Sequence, residues 1–125
     1  MSTPNTETTP LTFGHYSSAV RRGNLVYTSG LVGYHDAERT IDPDFGSQVR
    51  RTFENLEVSL RSVGATLQDV VSVNAILVHE ADNAEFNRIY EEYFTAEPLP
   101  VRTRIFAGLS KGVLYEMNAQ AIVAE

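Results

Sequence analysis

Apolar and polar residues follow two different periods along the chain, and the change of period separates two kinds of predicted element. Over residues 11–34, short apolar runs are interrupted by glycines and by a turn sequence at residues 21–24, a pattern typical of short β-strands. Over residues 45–63, apolar residues recur about every three or four positions, which predicts one buried face of a helix. Asp42 or Asp44 can cap the start of that helix.

The remaining pattern predicts a strand, a second helix and two further strands. Residues 69–80 are rich in β-branched side chains and indicate a buried strand of about nine residues. The second helix is predicted over residues 82–94, with Asp82 and Glu85 as a capping pair. The last two strands are predicted at residues 101–107 and 113–124. Because both helices can cover the same side of the strands, we expect an α+β layer with a mixed, mostly antiparallel sheet.

The last predicted strand has two unlike faces. One face is apolar, and the other mixes apolar Leu114 and Ile122 with polar side chains between them. The mixed face is too polar for a domain core and too apolar to lie wholly in water, which predicts packing against another copy of the chain. The polar residues of this face are Glu116, Asn118 and Gln120.

Two arginines stand inside the strand predicted at residues 101–107. Arg102 and Arg104 are two positions apart, so in an extended chain their side chains point to the same side. A guanidinium stays charged and is costly to bury without an anion. The pattern leaves two alternatives open: an ion pair with one of the 16 acidic residues of the chain, or a bound anionic ligand.

Composition limits the partners and the chemistry. The 125 residues suit one domain, predicted over residues 11–125 after a polar tail at residues 1–10. The formal net charge of -6 gives no general attraction to nucleic acid or to anionic membranes, and no apolar stretch is long enough to cross a bilayer. Small molecules and proteins are therefore the expected partners.

The residue types also exclude several kinds of site. The chain has no cysteine, which excludes a disulfide, a thiol nucleophile and a thiolate metal site, and fits a cytoplasmic protein. The three histidines are scattered without the spacing of metal ligands, and the glycines lack phosphate-loop spacing. We therefore expect no metal and no cofactor.

Five segments of the chain, in order from about residue 12 to 123, carry a family resemblance. They are "GHYSSAVRRGNLVYTSG", "TFENLEVSLRSVGATLQDVVSVNAILV", "FNRIYEEYF", "PVRT" and "LSKGVLYEMNAQAI". Together they resemble the RidA/YjgF family of enamine and imine deaminases. The resemblance implies a fold similar to bacterial chorismate mutase, a homotrimer with clefts between subunits, and hydrolysis of 2-aminoacrylate-like intermediates to 2-keto acids and ammonia.

The resemblance also implies roles for individual residues. Arg102 matches the arginine that grips the substrate carboxylate, and Glu116 matches a glutamate that can hold the water or move protons. Arg104 stands where many relatives carry a small residue or cysteine, so it is a candidate for binding substrate or for setting its identity. The other substrate-binding candidates are Tyr16, Asn87, Ser29 and Gly30.

Several alternatives remain at the level of sequence. Glu116 can instead pair with Arg102 or Arg104 across neighbouring strands. Arg104 can pair with a carboxylate at a subunit boundary, or it can bind the second carboxylate of a dicarboxylic, aminomuconate-like enamine. The whole protein can be a non-catalytic trimeric carboxylate-binding or regulatory protein that uses the same cleft.

Overall fold

The strands and helices follow the predicted order. The structure is a computed structural model that describes residues 12–124, so the predicted tail at residues 1–10 lies outside it. The strands are β1 (Ala19–Arg22), β2 (Leu25–Thr28), β3 (Val70–Leu77), β4 (Val101–Phe106) and β5 (Tyr115–Ile122). The helices are α1 (Phe45–Arg61) and α2 (Asn83–Tyr93), with short 3-10 helices at Leu67–Asp69 and Glu80–Asp82.

The five strands form one mixed sheet in the order β1-β2-β5-β3-β4. Three of the four pairings are antiparallel, and only β3 and β4 are parallel. The parallel pair needs a long connection across the sheet, which α2 supplies. The α+β class and the mixed, mostly antiparallel sheet are therefore confirmed, and β4, which carries the two arginines, is an edge strand separated from β5 by β3.

The two helices cover one face of the sheet, which we call the helix face. Phe53 of α1 lies at the centre of this core, fully buried, with its ring stacked at 4.1 Å on Tyr93 and packed edge-on against Tyr90 of α2. Tyr115 of β5 meets Phe86 of α2 at 5.6 Å between ring centroids. Both helices therefore bury their apolar faces against the same side of the sheet, as the helical periodicity predicts.

The opposite side of the sheet, which we call the open face, has no helix against it among residues 12–124 and carries large exposed apolar side chains between polar ones. In β5, Glu116, Asn118 and Gln120 point to this face. A contiguous apolar surface on one side of a sheet is a common sign of an interface. The exposed apolar residues of the open face are Val20, Leu25, Tyr27, Val101, Ile105 and Ile122.

The start of α1 fixes the beginning of β5. Asp44 caps the helix, and its carboxylate accepts a hydrogen bond from the Ser47 backbone N–H at 2.9 Å. The buried Gln48 side chain accepts from the Leu114 N–H at 2.8 Å and donates to the Gly112 carbonyl at 3.0 Å. Because these bonds hold the chain two residues before Glu116, they set the register in which β5 enters the sheet.

The capping pair predicted for α2 is wrong. Asp82 is the last residue of a 3-10 helix and already has helical backbone angles, and its side chain makes no capping hydrogen bond. A capping side chain reaches the first helical N–H groups from an extended backbone, which Asp82 does not adopt. The Glu85 carboxylate instead lies against Gly46 of α1.

Candidate functional site

Arg102 lies on the helix face at the edge of the sheet, because it is paired in register with the buried Val73 of β3. Its Nη1 donates a 3.0 Å hydrogen bond to Asn87 Oδ1 on α2. Its guanidinium carbon lies 4.8 Å from the centroid of the Tyr90 ring and 5.1 Å from that of Phe86. Aromatic faces attract a guanidinium and restrict its orientation, so this side chain is held in place by neutral groups alone.

The charge of Arg102 has no carboxylate within 4 Å among residues 12–124. The ion pairs in that part of the chain join His35 to Asp42, Arg50 to Glu92 and Arg51 to Glu54. The alternative pairing with Glu116 across neighbouring strands is wrong, because β3 lies between β4 and β5. An intramolecular ion pair, as expected for a purely structural arginine, is thus not formed in the part of the chain that the structure describes.

Arg104 repeats this arrangement two residues further along β4. Its Nη1 donates a 2.6 Å hydrogen bond to Asn83 Oδ1, and its guanidinium carbon lies 4.4 Å from the centroid of the Phe106 ring. Its Nε is buried and has no hydrogen-bond partner within residues 12–124. Asn83 was not among the predicted site residues. Its position four residues before Asn87, which places both on one face of a helix, is the signal that identifies it.

Glu116 lies on the open face, since it is paired in register with Ile76, three residues from Val73 and therefore on the other side of β3. Its side chain is partly buried, and this burial raises the pKa of the carboxyl above its ordinary value. A carboxyl with a raised pKa keeps its proton to higher pH and can donate it to a reacting atom.

Ser29 and Gly30 come directly after β2 and lie beside Glu116. Gly30 is so close that a side chain there would collide with Glu116 Oε2. Backbone hydrogen bonds hold this segment: the Ser29 N–H donates to the Ser18 carbonyl at 2.9 Å, and Leu31 and Met117 each donate to the carbonyl of the other, at 2.7 and 3.0 Å. The segment after β2 therefore forms one wall around the carboxylate.

Among residues 12–124, Tyr16 forms no hydrogen bond with the two arginines or their asparagines, nor with Glu116. It lies in the turn before β1, where its N–H donates to the Gly14 carbonyl at 3.0 Å and its ring packs over Gly14. Its side chain is half exposed. The predicted site residues thus form two groups on opposite faces of the sheet. The group on the helix face contains Arg102, Arg104 and Asn87. The group on the open face contains Glu116, Ser29 and Gly30, and Tyr16 lies apart from both.

The described residues form neither a metal site nor a membrane-spanning helix. In the span from 12 to 124, no three His, Asp or Glu side chains converge as metal ligands would. None of the helices found there has both the length and the apolar character needed to span a bilayer. The functional chemistry of the described chain is therefore sought in the two groups of polar side chains.

The fold and the polar groups define the class as a small α+β protein. Its edge strand carries two arginines that form no ion pair in the part of the chain that the structure describes, and a half-buried carboxylate lies across the sheet. A family model described as endoribonuclease L-PSP matches residues 6–123. The chain therefore belongs to this family, which is the YjgF/RidA family that the sequence segments resemble.

Individual relatives span nearly the whole chain. A RutC family protein of Pyrococcus abyssi is 36% identical over 118 residues, covering 93% of this chain and 92% of that protein. A protein of Escherichia coli named 2-iminobutanoate/2-iminopropanoate deaminase is 28% identical over 120 residues, covering 94% of each. The crystal structure of RidA from an Antarctic Psychrobacter has a TM-score of 0.88 at 31% identity, covering 98% of this chain and 100% of that one.

Proposed function

We propose that this protein is an enamine and imine deaminase that hydrolyses 2-aminoacrylate-like compounds to 2-keto acids and ammonia. The observation that carries the proposal is the Arg102 guanidinium, held by Asn87 and two aromatic faces with no carboxylate partner among residues 12–124. The similarity to an Escherichia coli protein named as such a deaminase supports it.

Arg102 acts as the carboxylate clamp. A guanidinium binds a carboxylate through two parallel charge-assisted hydrogen bonds, which fix both the position and the plane of the ligand. In a 2-imino acid the carboxylate is bonded directly to the reacting carbon. The clamp therefore places that carbon at a defined distance from the protein and removes much of the entropy cost of reaching the transition state.

Hydrolysis itself needs no covalent nucleophile. An enamine first takes a proton on its terminal carbon and becomes the imine. Water then adds to the carbon of the C=N bond, and the resulting carbinolamine loses ammonia after a proton moves from oxygen to nitrogen, which leaves the 2-keto acid. Glu116 is the group that we assign to these proton transfers, since its raised pKa favours the protonated form that the first step requires.

Arg102 and Glu116 of one chain lie on opposite faces of the sheet, so they cannot meet on one ligand within a single subunit. We propose that the protein is a homotrimer in which Arg102 of one chain and Glu116 of the partner subunit line the same cleft. The exposed apolar side chains of the open face support burial of that face against another copy. The number of three subunits is taken from the family resemblance.

Assembly is tested by light scattering. Three chains of 13.9 kDa give a mass of about 42 kDa. Ile122→Asp places a charge beside the exposed apolar Leu25 on the open face. We expect it to reduce both the mass and the activity, because a buried unpaired charge opposes association. Full activity of a wild-type monomer at assay concentration would overturn the shared site.

The reaction is tested with 2-aminoacrylate produced in place by a serine dehydratase. The wild-type protein should accelerate the decay of this compound, and Arg102→Ala should do so at least about tenfold less. Arg61→Gln removes one positive charge from the exposed last turn of α1 and is the matched control, with the wild-type rate expected. Carboxylate binding by the wild type without any acceleration would contradict the deaminase and favour the non-catalytic carboxylate-binding protein.

A further inference from the structure

Helix α2 and strand β4 form the same side-chain pair twice. Arg102 donates to Asn87, and Arg104 donates to Asn83. Four residues advance a helix by about 6 Å, and two residues advance a strand by roughly 7 Å, so the two spacings match. The result is a pair of guanidiniums held side by side on one face of the sheet edge.

Both pairs leave the positive charge uncompensated. The acceptors are amide oxygens, which carry no net charge, and the remaining neighbours are ring faces of Phe86, Tyr90 and Phe106. No carboxylate lies within 4 Å of either arginine in the span from 12 to 124. The two neighbouring arginines therefore have no carboxylate within 4 Å in that span, although the chain as a whole has a net charge of -6.

We propose that Arg102 and Arg104 form a clamp for two carboxylates, which selects 2-imino and 2-enamino dicarboxylic acids over monocarboxylic ones. The first carboxylate lies on Arg102 beside the reacting carbon, and the second, a few carbon atoms further along the ligand, lies on Arg104. The assignment of a reaction rests on the proposed deaminase, but the binding of dicarboxylates does not.

The guanidinium of Arg104 is held by Asn83 at one nitrogen and is buried at its Nε. This nitrogen has no acceptor among residues 12–124, while the Nη1 of the same group is held firmly by Asn83. A guanidinium held by one of its nitrogens presents its remaining N–H groups in a fixed direction. The competing occupant is a carboxylate from the partner subunit, and in that case Arg104 stabilises the assembly and does not choose the ligand.

Binding tests the clamp without chemistry. Glutarate and butyrate are titrated into the wild-type protein, Arg104→Gln, Arg104→Lys and the control Arg61→Gln at low ionic strength, with calorimetry as the readout. We expect the wild type and Arg61→Gln to prefer glutarate, and Arg104→Gln to lose roughly tenfold or more of that preference, since a hydrogen bond to a charged group is lost. Arg104→Lys should keep part of it, because it retains the charge without the planar fork.

The same variants are then compared as enzymes, with imines generated by amino-acid oxidases from glutamate and from alanine. The ratio of kcat/KM for the two imines should fall in Arg104→Gln by the same factor as the binding preference. An unchanged glutarate preference in Arg104→Gln overturns the clamp. If the oligomer mass of that variant is also lower, Arg104 instead binds a carboxylate of the partner subunit. Glutarate selectivity in a protein that hydrolyses neither imine overturns the proposed deaminase and leaves the clamp standing.

Discussion

The two faces of the five-stranded sheet differ in what covers them among residues 12–124: both helices pack on one face, and no helix packs on the other. The helix face is closed by aromatic packing around Phe53, and arginines lie at its two edges: Arg21 on β1, and Arg102 and Arg104 on β4. The open face carries exposed apolar side chains next to Glu116, Asn118 and Gln120. The first face buries its apolar side chains within one chain, whereas the second leaves large apolar side chains exposed. The difference indicates that the hydrophobic core forms on one face, while the candidate polar groups are divided between the two.

The largest expected effect is on the helix face. Phe53→Ala removes a fully buried ring that touches three other aromatic rings, and we expect it to lower the free energy of unfolding by about 3–5 kcal/mol. Denaturant unfolding at fixed protein concentration measures this loss of stability. Glu91→Ala, on the exposed side of α2, is the control and should stay within about 0.5 kcal/mol of the wild type.

The next effect is on the chemistry of the open face. Glu116→Gln keeps the shape of the side chain but cannot exchange a proton, so we expect kcat to fall by about a hundredfold, as is usual for loss of a general acid or base. Inhibition by simple carboxylates should be retained. Initial rates and inhibition constants measured on one sample decide it, and a wild-type rate would remove Glu116 from the mechanism. Glu91→Gln is the charge-matched control.

Arg102→Ala should lower kcat/KM by about tenfold to a hundredfold, since hydrogen bonds to a charged group contribute roughly 1.5–3 kcal/mol. Arg102→Lys should restore only part of this loss, because the lysine offers charge without the planar fork. The measurement is kcat/KM with one imine for all three proteins, together with thermal unfolding to show that the fold is intact. Full activity of the alanine variant would end the carboxylate-clamp assignment.

Mixing the two inactive variants sharpens the comparison of the faces. If each site takes Arg102 from one chain and Glu116 from the partner subunit, trimers that contain both Arg102→Ala and Glu116→Gln chains regain some intact sites. Around a three-fold axis, each mixed trimer then contains one intact site out of three, whichever variant is present twice. Co-expression with two affinity tags isolates the mixed trimers. Activity no greater than the residual activities of the separate variants would show that the site does not cross subunits.

The smallest effect concerns pH. Burial raises the pKa of Glu116 in the folded protein, so the folded state loses stability as pH rises from the ordinary value of 4.5 through the raised pKa. Glu116→Gln lacks this cost and should unfold at a higher temperature than the wild type at neutral pH, but not at about pH 3.5, where both side chains are uncharged. An equal difference in unfolding temperature at both pH values would contradict the raised pKa of Glu116 as the cause.

Local features of the fold could be predicted from the sequence because they depend on neighbours along the chain. The alternation in β5 correctly separates the buried Tyr115 and Met117 from Glu116, and Asp44 caps α1 as its residue type and position indicate. The capping pair at Asp82 failed because a 3-10 helix directly precedes α2, and the length of such a turn is not encoded in the residue types that signal a cap.

The arrangement of the candidate site could be predicted only in part. The common direction of Arg102 and Arg104 follows from the period of a strand and is confirmed. The separation of Arg102 from Glu116 depends on β3 lying between β4 and β5, which is a long-range pairing that no local pattern specifies. Asn83 was missed because a single asparagine near the start of a helix is ordinary until the strand opposite it is known.

The contact between Gly30 and Glu116 has a consequence for how this protein can change. The carboxylate occupies space that any other residue at position 30 would fill with its own β-carbon. The Glu116 carboxylate thus fits at this place because the residue beside it has no β-carbon. A larger residue at position 30 would displace the carboxylate, so a substitution there would change the surroundings of Glu116 while leaving its own chemical group unchanged.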